Sequence, residues 1–335
     1  MRKRTVSKKI ATMTVAAMMI AGVLTGCGSS DTETTGTEES SETTETTDTS
    51  ESTESEDTTS SETSIAGVKD NGDGTYEVTV AVLDGMAPYT YTDETGAMQG
   101  YDYEWMLAVD EKLENYTFKY VSVSPDAAAA AIQAGTYAFS ASAHFVTPAR
   151  MENYILSIPE SYYPVNLVSR TEDSFTSFEE LDGKVLVPNP PNDGLSIVLN
   201  QMAGEYPDVK YTQDPTSEYI PYLDGLQDVI KGRYDCWFGG ETMYNDLIAA
   251  DPSLADSSFC SEPITTASCV AVINSNLTDL REAINQATCE LYADGTLKEL
   301  SEKWLGKDYF KVAEDTNSLF DYANYSAEQA DWYTE

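Results

Sequence analysis

The sequence predicts an α/β protein built on mainly parallel sheets with helices on both faces. Three observations lead there. Apolar spacing switches repeatedly between a period of two and a period near 3.6 from residue 76 onward. Strand-like and helix-like stretches alternate, and parallel strands need crossover helices of this kind. The foldable body, about 250 residues, is long enough for one large core or two medium ones.

The elements follow in order. Tyr76, Val78, Val80 and Val82 alternate as a strand. Residues 101–113 place Trp105, Val109 and Leu113 on one helical stripe, with Asp102 at the acidic start. Residues 117–123 read as a strand, and Asp126 opens an alanine-rich helix to Gln133. Strands are expected at 137–143, 163–169 and 184–187. Leu195, Val198, Leu199 and Met202 form an i, i+3, i+4, i+7 face. Residues 219–230 read as a helix, 234–238 as a short strand, 242–250 as a helix and 268–273 as the last clear strand. Helices from Asp279 and from Thr296 close the pattern. In such sheets a ligand site is expected beyond the carboxyl ends of the strands, where loops meet helix N-termini.

The ends read differently. Arg2, Lys3, Arg4, Lys8 and Lys9 precede a small-apolar run from Ile10 to Leu24, about half of what spans a bilayer comfortably. The run closes on Leu24-Thr25-Gly26-Cys27, which resembles the lipobox of bacterial lipoproteins, so residues 1–26 are expected to be a signal peptide and Cys27 the lipidated residue. Residues 28–64 hold twelve acids and no base among Ser, Thr and Gly. Such a segment has too few apolar side chains to order itself, which makes 27–65 a tether with a span of about 30–35 Å. Losing the leader takes the net charge from −38 to −43, of which the body carries −31. That field argues against nucleic acid and anionic headgroups as partners, leaving the lipid as the expected membrane contact. It does not exclude an anionic solute captured by a local arginine.

Cys236, Cys260, Cys269 and Cys289 show no CxxC pair and no nearby histidine, so no metal is expected; disulfides and free thiols both remain open.

Several motifs, in order, resemble one family. They are Gly100-Tyr101-Asp102, Thr147-Pro148-Ala149-Arg150, Pro159-Glu160-Ser161-Tyr162-Tyr163, the stretch Ser177 to Val187 with Leu181 and Gly183-Lys184, and Leu291-Tyr292-Ala293-Asp294-Gly295-Thr296 with Lys303-Trp304-Leu305-Gly306. Together they are similar to the extracellular solute-binding proteins of amino-acid-type ABC importers. The resemblance implies a type II periplasmic-binding-protein fold: two doubly wound lobes, a cleft between them, and two crossover strands near 163–165 and 262–266. Lobe one is then 75–164 plus 265–310, lobe two 165–264, and 311–335 an extension whose aromatics Phe320, Tyr322, Tyr325, Trp332 and Tyr333 suggest packing on the surface.

The resemblance also implies site residues. Arg150 matches the arginine that grips a solute carboxylate, a task suited to a planar guanidinium fork. The places of a Gly or Ser and of a Ser or Thr in the preceding turn hold Ala143 and Phe145. The stacking aromatics fall at Met86 and Pro125, with Tyr89 and Tyr91 near enough to compensate, and Asp84 joins this set. In lobe two Asn192 and Asp193 precede a helix and are expected to reach the solute. The acid that pairs with an α-ammonium falls at Gly240, with Glu241 next to it as a substitute or as a helix-start acid. His144 is the only histidine and lies in the same turn as Arg150.

The function implied is a monomeric, lipid-anchored binding protein on the outer face of the cytoplasmic membrane. It captures a small carboxylate-bearing solute, without cofactor, for an ABC-transporter permease. Two other readings share the scaffold: an enzyme similar to cyclohexadienyl dehydratase, with His144 and Glu241 as acid and base, and a sensor that presents its closed form to a receptor.

Overall fold

A computed structural model describes residues 64–334. The leader, Cys27 and the tether up to residue 63 lie outside the described residues.

The first half-sheet forms around strand β1 (Tyr76–Leu83), flanked in parallel by β2 (Tyr116–Val123) and β3 (Phe139–Phe145). A small hairpin at the start of the described residues, Ser64–Ile65 with Val68–Asp70, pairs onto the N-terminal half of β1. The second half-sheet is shorter: β5 (Val185–Leu186), β6 (Thr212–Gln213) and β7 (Cys236–Gly239), all parallel around β5.

Two long strands join the halves. Strand β4 (Ser161–Arg170) is buried along nine of its ten residues and reads as an apolar run covered on both faces. Its first five residues pair antiparallel with β9 (Thr265–Ile273), from Ser161 opposite Cys269 to Val165 opposite Thr265. From Asn166 to Ser169 it pairs instead with β7. A short β8 (Ser258–Cys260) covers the end of β4, while β9 continues antiparallel along β3. The sheet is therefore mixed: parallel around β1 and around β5, antiparallel at the Ser64–Asp70 hairpin and where the joining strands lie.

Helix α1 (Tyr101–Lys112) buries Tyr101, Trp105, Met106 and Val109 fully; Trp105 and Val109 lie on the predicted stripe, while Leu113 falls just past the helix at an extended C-cap. Its start is tied to the loop before it, because Pro88 and Tyr89 carbonyls accept the Tyr101 and Asp102 N–H groups at 3.0 Å each. Only glycine fits at position 100. Its φ is +120°, and a Cβ there would stand 2.1 Å from the Tyr89 carbonyl oxygen. Helix α2 (Pro125–Gln133) follows β2, and α3 (Pro148–Asn153) follows β3. Helix α4 (Gly194–Glu205) buries Leu195, Val198, Leu199 and Met202, the predicted face. Helix α5 runs from Tyr222 to Ile230, not from Tyr219, because Pro221 sits at its N-cap with extended ψ. Helix α6 (Glu241–Ala250) leaves β7, and α7 (Thr278–Ala293), α8 (Thr296–Leu305) and α9 (Tyr309–Asp315) close the chain. The short α3 and α9 and the brief β6 and β8 carry too few residues to show a period, and sequence reading missed them.

The expected packing of the last residues is present. Tyr322 is buried, donates its hydroxyl to the Pro159 carbonyl at 2.8 Å and stacks on Tyr292 at 4.2 Å. The Trp332 indole N–H donates to Ser157 O at 3.1 Å, and Arg281 pairs with Asp331. This segment thus braces the chain just before β4. The four cysteines left open by the sequence are free thiols, with Cys236 and Cys269 buried. Among the described residues no helix is long and apolar enough to cross a membrane.

Candidate functional site

Between the two half-sheets lies a cleft of about 660 Å³. One wall comes from the loop after β1 (Gly85, Met86, Ala87, Pro88, Tyr89), the end of β3 (Ser142, Ala143, Phe145) and the start of α3 (Thr147, Ala149, Arg150). The other comes from Asn192, Asp193, Gly194 and Leu195 at the start of α4, from Tyr219 and Tyr222, and from Thr242 and Met243 on α6; Tyr163 on β4 lies between. The site sits at strand ends and helix starts, as an open α/β sheet dictates.

Arg150 is placed by local chemistry. Thr147 caps α3, its hydroxyl accepting the Arg150 N–H at 3.2 Å, and Pro148 holds the first helical position. This fixes Arg150 in the first turn, facing the cleft. One guanidinium N–H donates to the Phe145 carbonyl at 2.7 Å, leaving four donors. Burial lowers its pKa, yet a guanidinium stays charged. Of the four described arginines, Arg170, Arg233 and Arg281 are ion-paired, whereas no described carboxylate pairs with Arg150.

The turn before it is strained and held from beneath. Ala143 has φ +47°, in the left-handed region that non-glycine residues avoid. Its N–H donates to the carboxylate of Asp102 at 3.1 Å. Asp102 sits in the first turn of α1, as expected, but fully buried, so that it serves as an internal anchor. Fully buried Glu160 lies beside it. Burial pushes the Asp102 carboxyl up to about 7; burial and the Asp102 charge push Glu160 well up. At neutral pH the two carboxyls under the site therefore hold at least one proton between them.

Phe145 crosses the cleft. Its ring meets Tyr163 edge-on at 5.2 Å and approaches Gly194 so closely that a Cβ there would stand 1.9 Å from the ring. Asp193 caps α4 by accepting the Leu195 N–H at 2.9 Å and accepts the Tyr219 hydroxyl at 2.9 Å. The buried Tyr89 hydroxyl has no protein partner. Met86, Tyr219 and Tyr222, three of six exposed large apolar side chains among the described residues, lie on this cleft. Apolar surface gathered in one place marks a contact surface.

Arg150, Phe145, Ala143, Met86, Tyr89, Asn192 and Asp193 are thus brought together in the cleft lining. Six expected residues, Asp84, His144, Gly240, Glu241, Tyr91 and Pro125, are not. Asp84 turns its carboxylate to the Thr92 and Gly85 N–H groups at 2.7 and 2.9 Å, and these bonds lower its pKa. His144 lies behind the cleft, its Nε2 3.0 Å from Ser140 Oγ; burial and the Arg150 charge push its pKa down to about 3, so the ring is neutral. Gly240 cannot carry the acid of the family pattern, because a Cβ there would lie 2.4 Å from the Tyr163 hydroxyl. Glu241 faces the C-terminal segment instead, accepting from Tyr309 Oη at 2.8 Å and Lys307 Nζ at 3.3 Å. Hence the acid–base pair sketched for an enzyme is not assembled in the cleft. Tyr91 packs edge-on against Trp304, away from the lining. Sequence reading missed Tyr163, Tyr219, Tyr222 and Met243. Tyr219 and Tyr222, on either side of Pro221, were the available signal for two of them, and the stretch was read as helix.

Two α/β halves joined by two shared strands, with an unpaired arginine in the cleft between them, define a two-lobed periplasmic-binding-protein fold of type II. The sequence profile of the bacterial extracellular solute-binding proteins, family 3, matches residues 78–307, and the chain belongs to that family. The L-cystine-binding protein TcyK of Bacillus subtilis is 24% identical over 227 residues, covering 66% of this chain and 80% of that protein. A probable amino-acid ABC transporter-binding protein of Haemophilus influenzae is 24% identical over 256 residues, 72% and 89% of the two chains. Among solved structures, the probable amino-acid ABC transporter extracellular-binding protein YtmK of Bacillus subtilis superposes with a TM-score of 0.55 at 20% identity, over 70% of this chain and 100% of that one. The L-cystine solute receptor of Neisseria gonorrhoeae, in its unliganded open conformation, gives 0.52 at 22% identity, over 69% and 93%.

The Asp102–Glu160 pair sets a pH dependence. Both folded-state pKa values lie above the unfolded ones, so the folded form holds extra protons and its stability is present at low pH and lost as pH rises from about 4 through about 7. Urea unfolding midpoints should be higher at pH 5 than at pH 8, and Glu160→Gln should flatten that slope; an unchanged slope in the variant would refute the pairing.

Proposed function

We propose that this protein is the solute-binding component of an ABC importer and captures a small carboxylate-bearing solute, an amino acid or a related compound, by closure of its lobes. The observation that carries the reading is Arg150. It is a half-buried cation facing the cleft, in a body of net charge −31, with no described carboxylate within ion-pair distance and Asp193 acting on it only from further off. Leaving such a charge without a counter-ion is costly unless an anionic partner completes it. The unpartnered Tyr89 hydroxyl, with the donors left on Arg150, provides further sites for solute oxygens.

On this reading lobe one is residues 75–164 plus 265–310 and lobe two residues 165–264, hinged where β4 and β9 cross. Phe145 and Gly194 form a contact across the closing cleft. The protein turns nothing over. A lipid on Cys27 and the acidic tether hold the monomer near its permease on the outer face of the cytoplasmic membrane. Relatives named for L-cystine and for amino acids support the class of cargo.

A thermal-shift and calorimetric panel of amino acids, L-cystine, small peptides and aryl carboxylates should reveal a stabilising acid; a ligand at a hundred times its Kd adds about 2.7 kcal/mol. Arg150→Ala should weaken that acid at least about tenfold, the scale of a lost charged hydrogen bond. Unchanged affinity would remove Arg150 from the site. Gly194→Ala should obstruct the Phe145 contact and weaken the same acid while the free protein keeps its unfolding midpoint; equal affinity would argue against closure through this contact. Metabolic labelling with palmitate should mark the full-length chain and miss Cys27→Ser, and labelling of both would place the lipid elsewhere.

A further inference from the structure

Past Arg150 the cleft continues into a side chamber of about 280 Å³. Met86, Ser142, Ala143 and Arg150 line both spaces, so the chamber adjoins the cleft across these four residues. Its far wall is α2, which presents Pro125, Ala128, Ala129 and Ile132. Positions three and four apart share a helical face, and three of these four side chains are small. The space exists because α2 is a run of alanines where larger side chains would fill it. Leu83 and Val272 close the floor.

Among the described residues the chamber has one cation and no anion. Arg150 stands at its mouth, and His144 within it is neutral and engaged with Ser140. The Tyr154 hydroxyl on its wall is already spent on the Ala129 carbonyl at 2.9 Å. Nothing there favours a polar or charged occupant. Apolar cavities of about 150 Å³ already admit benzene, so this space admits a ring with its linking methylenes. Met86 at the junction is unbranched and 38% exposed, a side chain able to move aside for such a group.

The geometry points to a second subsite that takes an aryl or similarly bulky apolar group of the same solute whose carboxylate meets Arg150. The favoured class is therefore arylalkyl carboxylates over small amino acids. This rests on the carboxylate reading above and adds the direction in which the solute's side chain runs.

The test uses 3-(4-iodophenyl)propanoate and L-alanine as probes. The arylpropanoate should bind the wild-type protein at least about tenfold more tightly than alanine, as burial of a ring predicts. In crystals soaked with it, the iodine anomalous peak should fall between Pro125, Ile132 and Tyr154. Ala129→Leu should cost the arylpropanoate about tenfold and leave alanine unchanged, since only the chamber is filled. An iodine peak against Tyr219 and Tyr222, or equal losses for both probes, would overturn the subsite. If Arg150→Ala still abolishes binding in that case, the carboxylate reading stands alone. Failure of every carboxylate to bind would overturn both.

Discussion

Two strands carry the whole arrangement, and the constraint they impose is that each belongs to two half-sheets at once. Strand β4 changes partner between Val165 and Asn166, from β9 to β7, without breaking its run of buried residues. The change of partner is secured by a side chain. Fully buried Asn166 donates to the Ser261 carbonyl at 2.8 Å and accepts the Glu241 N–H at 2.9 Å. A buried amide with its groups satisfied fixes one geometry where an apolar residue would permit several. The first turn of α6 is thereby tied to β4, and Glu241 is committed to Tyr309 and Lys307 before any solute arrives.

From that frame the cleft inherits a polarity. Its first wall is a strained, acid-supported turn: Asp102 holds the left-handed Ala143, and Thr147 then starts the helix that carries Arg150. Its second wall carries Tyr219 and Tyr222, and Tyr163 between the walls occupies the room that an acid at position 240 would need. One cation facing rings, with Asp193 already shared between a cap and Tyr219, is poorly matched to a small zwitterion held at both ends. It suits a carboxylate with a large apolar remainder. The alanine wall of α2 points the same way from independent residues.

Much of this was legible in the sequence. The strand and helix periods of β1, α1, α4 and β9 are long enough to outweigh local accident, and the Trp105 and Leu199 stripes are buried as their spacing requires. Thr147-Pro148-Ala149-Arg150 was singled out as a family motif, while the helix that its cap and N1 proline start was too short to read from a period. Helix α5 was misjudged at its start because the Tyr219 cluster carries helix-compatible spacing, and only the backbone at Pro221 shows the break.

What the tertiary structure decided is everything that depends on residues far apart in the chain. Glu241 and His144 sit beside cleft residues in sequence yet turn elsewhere, because Tyr309 and Ser140 offer them closer partners. Asp102 became an anchor because folding placed the Ala143 N–H above it, forty-one positions away. The chamber behind Arg150 follows from alanines whose small size has meaning only once β3 and α2 face each other. Sequence determines which side chains a local turn presents. Only packing determines which of them already have partners, and the ones left without are those free to meet a solute.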